Sequence, residues 1–254
     1  MPTNSSATTS VTSSVTSTAA TKPLFYNAPE ALSRVAHANL KVVVSGDFSF
    51  ARNTSSVPLA ISEFSAASGH YPIAFLSVKG DTKPSMPVAL LSIAQDKNDY
   101  VDSEGHWRKG SYVPAYVRRY PFAFASDESS GNLVLCADLA SDRISTSEGV
   151  PLFNNGEPTE ATTRMLGFCT SYQQDYVATE QFVTVLGQMN LLREQRLVLR
   201  GASGSRTLAG LRLLDRTAFR KLDDTSFLRL RSLGYLGPIY AHLASLHRLR
   251  EFSI

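Results

Sequence analysis

Apolar residues in the first 140 positions come in short runs bounded by Gly, Pro and Asp, and helical spacing begins only near residue 157. That order constrains the fold more than any other feature. Leu40–Val44, Tyr71–Val78 and Pro87–Ala94 are too short for free-standing helices, and their flanks favour buried strands. Val57–Phe64 reads as a short connection into a polar turn at Ser65–Gly69, and Lys97–Trp107 as turn-rich chain. Phe122–Ser126 and Leu133–Asp138 predict a hairpin across the polar loop Asp127–Asn132.

The second half reads differently. Glu157-Pro158-Thr159-Glu160 has the Pro and the acids of a helix start. Met165, Phe168, Cys169, Tyr172, Tyr176, Phe182, Val185, Leu186 and Met189 then recur at threes and fours. They predict an amphipathic helix to about Leu192, with room for one break. Leu197–Arg200 and Arg206–Leu214 flank Gly201–Gly204 as a second hairpin. Thr217–Lys221 and Thr225–Leu233 predict short helices, the second stopped by Gly234. Pro238 opens a last helix through Arg250, with Ile239, Leu243, Leu246 and Leu249 inward. Strands first and helices later, without alternation or internal repeat, argue for an α+β fold. Its strands are predominantly antiparallel in the N-terminal half, followed by a long helix, a hairpin and C-terminal helices.

Residues 1–22 are Ser-, Thr- and Ala-rich and, after Met1, carry no large apolar side chain beyond two valines. Such a stretch cannot offset its ordering entropy by burial, so it predicts a disordered tail before one globular domain at 23–254. It also lacks the basic start and apolar stretch of a secretory signal, which points to the cytoplasm. The alternative is a cell-surface location reached by a signal-independent route. No apolar run approaches the ~18 residues of a membrane-crossing helix.

Net charge is +3, unevenly spread: residues 191–254 hold twelve basic against five acidic residues. Either this end meets an acidic partner, or the arginines are solvated on helix faces and hairpin strands. Nucleic acid is not the expected partner. Cys136 and Cys169 have no metal-ligand spacing and read as two buried thiols, with a single disulfide as the alternative.

Familiar catalytic motifs are missing. There is no GxGxxG, Walker loop or HExxH. Gly201-Ala-Ser-Gly-Ser205 is one residue short of a nucleophile elbow and sits in a hairpin. Asp96–Asp102 lacks the fifth and sixth positions of a calcium loop, so it reads as a surface turn. His242 and His247 stand five apart, about 140° around a helix, which separates them as metal ligands. No metal or other cofactor is expected.

The densest polar cluster is His106-Trp107-Arg108 followed by Tyr112-Val-Pro-Ala-Tyr-Val-Arg-Arg-Tyr-Pro-Phe122. Two adjacent arginines between tyrosines can clamp a carboxylate or phosphate, or else anchor a turn through backbone carbonyls. His242, inside Tyr240–Ser245, reads as a core histidine or as an acid–base group. The candidate ligand-binding residues are therefore Trp107, Tyr116, Arg118, Arg119, Tyr120 and His242, for a small anionic ligand. No catalytic residue is assigned.

At this cluster the sequence resembles the bacterial SapC-like family. Other matching segments follow in order: Asp47–Phe50, Val57–Leu59 with Glu63-Phe64, Tyr71–Ile73, Pro87–Leu91 and Leu135–Asp138. After them come Gly149, Pro151–Phe153, Gly156–Pro158 and Ile239–Leu246. The resemblance covers about residues 24–252 and departs at Ala137, where a larger apolar residue is expected. Arg248 and Arg250 depart too, altering surface only. It implies association with a bacterial surface layer, and a setting beside outer-membrane receptors and flavin halogenase-like enzymes. The peptide-transporter permease that shares the short name is a different protein, with membrane spans this chain lacks. The implied function is a non-enzymatic accessory protein of the surface layer or its export, with an unknown protein partner there. The alternative is a cytoplasmic protein handling a small molecule or peptide, or an enzyme with an unfamiliar site.

Overall fold

In the computed structural model, residues 23–76, 86–126, 133–201 and 204–252 are described. The expected disordered tail at 1–22, the end of the expected strand Tyr71–Val78, the expected hairpin loop at 127–132 and residues 202–203 lie outside them. Every strand pairing among the described residues is antiparallel. The elements run β1 (Pro29–Ala31), β2 (Lys41–Val42), β3 (Ser56–Pro58), α1 (Phe64–Ser68), β4 (Ile73–Leu76), β5 (Met86–Leu90) and α2 (Ala115–Arg118). Then come β6 (Phe122–Ser126), β7 (Leu133–Asp138), β8 (Ile144–Ser145), β9 (Val150–Pro151), β10 (Phe153–Asn154), β11 (Glu157–Pro158) and α3 (Glu160–Gln188). The chain ends with β12 (Leu192–Gly201), β13 (Gly204–Leu214), α4 (Arg216–Arg220), α5 (Asp224–Ser232) and α6 (Leu236–Ser245).

The largest sheet has the order β12-β13-β4-β5-β3. The late hairpin is thus stitched onto the early strands, with Leu211 opposite Leu76 and Arg212 opposite Phe75. A second sheet, β1-β7-β6, carries the expected hairpin with Phe122 opposite Ala137. Ala137 is fully buried there. Its small side chain leaves room for Phe122, the same-face neighbour across the strands.

Helix α3 is the spine of both cores. Its second half puts Phe182, Val183 and Leu186 against Phe64, Phe75, Leu230 and Ile239 in the main core. Phe182 meets Phe64 edge-on at 5.9 Å and Tyr235 at 5.0 Å. Its first half puts Met165, Phe168 and Cys169 against Phe122, Leu135, Ala137 and Leu152 in a smaller core. Both cysteines are buried free thiols. No helix among the described residues is long and apolar enough to cross a membrane.

Three local expectations need correction. Glu157-Pro158 is strand β11, not a helix start. Asn155 and Gly156, at φ of 50° and 79°, turn the chain so that β11 pairs with β10. The helix is capped instead by Thr159, whose Oγ1 accepts from the Thr162 amide, and α3 runs unbroken for 29 residues. Val57–Phe64 is not a plain connection: Ser56–Pro58 pairs with β5, and the supposed polar turn after it is helix α1. The polar side chains of that segment face water while Phe64 and Ala67 are buried, which masked a one-turn helix as a turn.

Candidate anion-binding cleft

The Tyr112–Phe122 segment is organised by a buried acid. Glu63 accepts from the Ala115 amide at 2.7 Å and the Tyr112 hydroxyl at 2.9 Å through one oxygen, and from the Ala60 amide at 2.9 Å through the other. A carboxylate at the first amide of a helical turn suits the dipole there, so α2 starts after Pro114. Burial, together with Glu63, raises the Tyr112 phenol to about 12. One turn of helix then sends successive side chains to different places.

Tyr116 and Arg119, three apart, share a face and meet Tyr172 of α3. The Arg119 guanidinium carbon lies 4.1 Å from the Tyr116 ring centre, 4.7 Å from Tyr172 and 5.7 Å from Tyr26. Its Nε is buried without a hydrogen-bond partner. Aromatic faces therefore carry much of the stabilisation of this charge. Burial pushes the Tyr26 and Tyr172 phenols well above their ordinary range, so both stay neutral.

Tyr120 turns inward. Its ring stacks on Phe50 at 4.2 Å, and its hydroxyl donates to Asp138 at 3.2 Å. Asp138 is fully buried and also accepts from the Ala28 amide at 2.7 Å and the Asn27 amide at 3.0 Å. Arg143 ties this corner to the strand before it. It donates to the carbonyls of Tyr120 at 3.2 Å and Ser45 at 3.3 Å, and to that of Asp47. Phe50 lies under its guanidinium at 4.9 Å.

Arg118 turns outward. It donates to the Val113 carbonyl at 3.0 Å and the Tyr112 hydroxyl at 3.2 Å, and lies 5.2 Å from the Phe168 ring centre. The rest of its five-donor fork is left for another acceptor. Arg118, Arg143 and Arg164 line one cleft of about 440 Å³ between residues 42–45, residues 118–122 and the first half of α3. Its remaining walls are largely apolar, with Phe122, Leu152, Met165 and Phe168 prominent, and none of the lining residues is Asp or Glu. The Arg164–Glu160 pair, at 3.4 Å between largely exposed side chains, competes weakly for Arg164. A smaller hollow of about 200 Å³ adjoins it, and both share Val43, Ser45, Tyr120 and Arg143.

The structure brings Arg118 and Tyr120 into the cleft, with Tyr116 and Arg119 packed behind them. Trp107 and His242 are not among its lining residues. Trp107 sits in the main core and donates from Nε1 to the Tyr71 hydroxyl at 3.1 Å. His242 is 1% exposed, and its Nε2 accepts from the Leu214 amide at 3.2 Å. Burial lowers its pKa to about 4, so the ring is neutral. Arg143, Arg164 and Phe168 were not singled out for this role by sequence reading. Arg164 and Phe168 stand four apart on α3, a legible shared face, whereas Arg143 lies in a loop with no pattern to mark it.

The family model SapC matches residues 32–252, most of the chain. The chain belongs to the SapC family. No curated protein and no solved structure matches it. In this SapC-family chain, the Tyr112–Phe122 segment that carried the resemblance is the one that builds α2 and one wall of the cleft.

Proposed function

We propose that this SapC-family chain is a non-enzymatic accessory protein that binds a small anionic molecule with an apolar portion. The observation carrying this reading is the cleft lined by Arg118, Arg143 and Arg164, with apolar walls and no carboxylate among its lining residues. Guanidinium groups recognise carboxylates and phosphates by paired hydrogen bonds, and apolar walls select the rest of the ligand. Val44 stands at this cleft 85% exposed, an apolar surface that a ligand would cover.

The groups suited to proton transfer or nucleophilic attack support a binding role rather than a reaction. The neutral His242 ring is closed off in the core, with Nε2 accepting from the Leu214 amide. Burial pushes the Cys169 thiol up to about 11, so little thiolate forms near neutral pH.

The family's link to a bacterial surface layer makes the cell envelope, or its export machinery, the setting for an unknown protein partner. The chain itself is proposed to act in the cytoplasm. Titration calorimetry with decanoate tests the binding part. Saturable binding that weakens at least tenfold in Arg118→Gln/Arg164→Gln is expected; equal binding by decyltrimethylammonium would overturn it. Deleting the gene in a bacterium with a surface layer tests the setting. Unchanged layer assembly and secretion would overturn the envelope role alone.

A further inference from the structure

The two adjoining hollows differ in chemistry. The larger is apolar and carries the three arginines. The smaller is lined by Ser45, Asp47, Ser49, Ser141 and Asp142, beside the shared Tyr120 and Arg143. Asp142 is exposed, and its carboxylate makes no hydrogen bond or ion pair among the described residues. Asp47 accepts the Ser49 amide at 2.7 Å, and hydrogen bonds from Ser49 hold its carboxyl below the usual range, so it is ionised at neutral pH.

A ligand spanning the shared Tyr120–Arg143 wall thus meets apolar side chains and guanidinium donors on one side, and carboxylate and hydroxyl groups on the other. Resting on the anion-binding reading of the cleft, we propose that the ligand is a zwitterionic single-chain amphiphile. Its aliphatic chain lies along Leu152, Met165 and Phe168, its anionic group meets Arg118 and Arg164, and its ammonium head reaches Asp47 and Asp142. A plain fatty anion would leave the acceptor hollow unused, and a longer polar anion would place like charges against Asp142.

Three probes with one chain length and one phosphate charge separate these terms, used below micelle formation. Dodecyl methyl phosphate has no head, dodecylphosphoethanolamine adds a primary ammonium, and dodecylphosphocholine adds a cation without N–H donors. The expected order by calorimetry is phosphoethanolamine at least tenfold tighter than the methyl ester, with phosphocholine between them. Asp142→Asn is expected to remove most of that gain and leave the methyl ester unchanged. Equal affinities for the methyl and ethanolamine esters would overturn the head-group assignment while the anion site stands. No binding of any of the three would overturn both. A gain that survives Asp142→Asn would also overturn the head-group assignment as drawn.

Discussion

On α6, His242 Nε2 accepts from the Leu214 amide, and Ser245 accepts from the Ile73 amide at 2.9 Å while donating to the His242 carbonyl at 2.7 Å. Beside α3, Arg118 and Arg164 keep donors to spare on the wall of an apolar cleft. Both neighbourhoods are polar groups set among apolar residues. In the first, the Ser245 hydroxyl and one His242 ring nitrogen bond the backbone, Nδ1 is closed off in the core without a partner, and the side chains act as pins between the last helix and the large sheet. In the second, the fork is only partly used. Arg119 is intermediate: half-buried with its Nε closed off, cationic like the second, and held by three tyrosine faces. Residue type alone does not separate a pin from a ligand group; the unspent donors and the open space beside them do.

The comparison can be broken at its largest expected effect by Asp138→Ala. Losing this carboxylate strips the Ala28 amide and the Tyr120 hydroxyl of their acceptor inside the fold. About 3–5 kcal/mol of stability is expected to go, since buried donors are left unpaired. A urea midpoint near that of wild type would show that Asp138 is no pin.

Next comes pH. His242 holds a pKa of about 4 in the folded chain, against about 6.5 unfolded. Between these values the unfolded state binds more protons, so stability falls as pH drops from about 6.5 towards 4 and is flat above. The full loss is about 3 kcal/mol. The lowered carboxyls of Asp47, Asp102, Asp215 and Asp223 act below the ordinary carboxylate range, outside this window. His242→Gln keeps an acceptor for Leu214 and is expected to flatten the slope between pH 6.5 and 4.5. A slope unchanged in that variant would assign the titration elsewhere.

Arg119→Lys loses the flat guanidinium from its tyrosine cage, for an expected cost of about 1–2 kcal/mol. Decanoate affinity should stay as it was; a fall in affinity without a fall in stability would move Arg119 into the ligand site. Arg118→Gln/Arg164→Gln is the mirror case. Stability is expected to hold within about 0.5 kcal/mol, as for other surface changes, while decanoate binding falls at least tenfold. A large loss of stability would make these arginines pins as well. The smallest effect belongs to Val44→Ser, with affinity for decanoate about threefold weaker and an unchanged melting temperature. That corresponds to burying part of one apolar side chain, and no change would put the chain of the ligand on another wall.

Much of this architecture was legible in the linear chain. Short runs at β4, β5, β6 and β7 and the three-and-four spacing of α3 follow from local periodicity, which tertiary packing had only to accept. The failures came where a pairing far along the chain decided the outcome. Ser56–Pro58 became a strand because β5 lay beside it, and Glu157-Pro158 paired back onto Phe153-Asn154. Of the candidate site, Arg118 and Tyr120 face the cleft, Tyr116 and Arg119 pack behind it, and Trp107 and His242 serve the main core.

The amino-acid order by itself determined the α+β class and the aromatic content around Arg118-Arg119, because these depend on composition and on neighbours within a few residues; the turn of helix α2 that carries the two arginines came with Glu63, about 50 residues earlier. Only the tertiary structure decided which arginine would be free. Arg118 and Arg119 have the same chemistry, and about 100° of helical rotation separates a tyrosine cage from an open cleft. What waits on each side, Tyr172 or Arg164, is supplied by a helix some 50 residues further on.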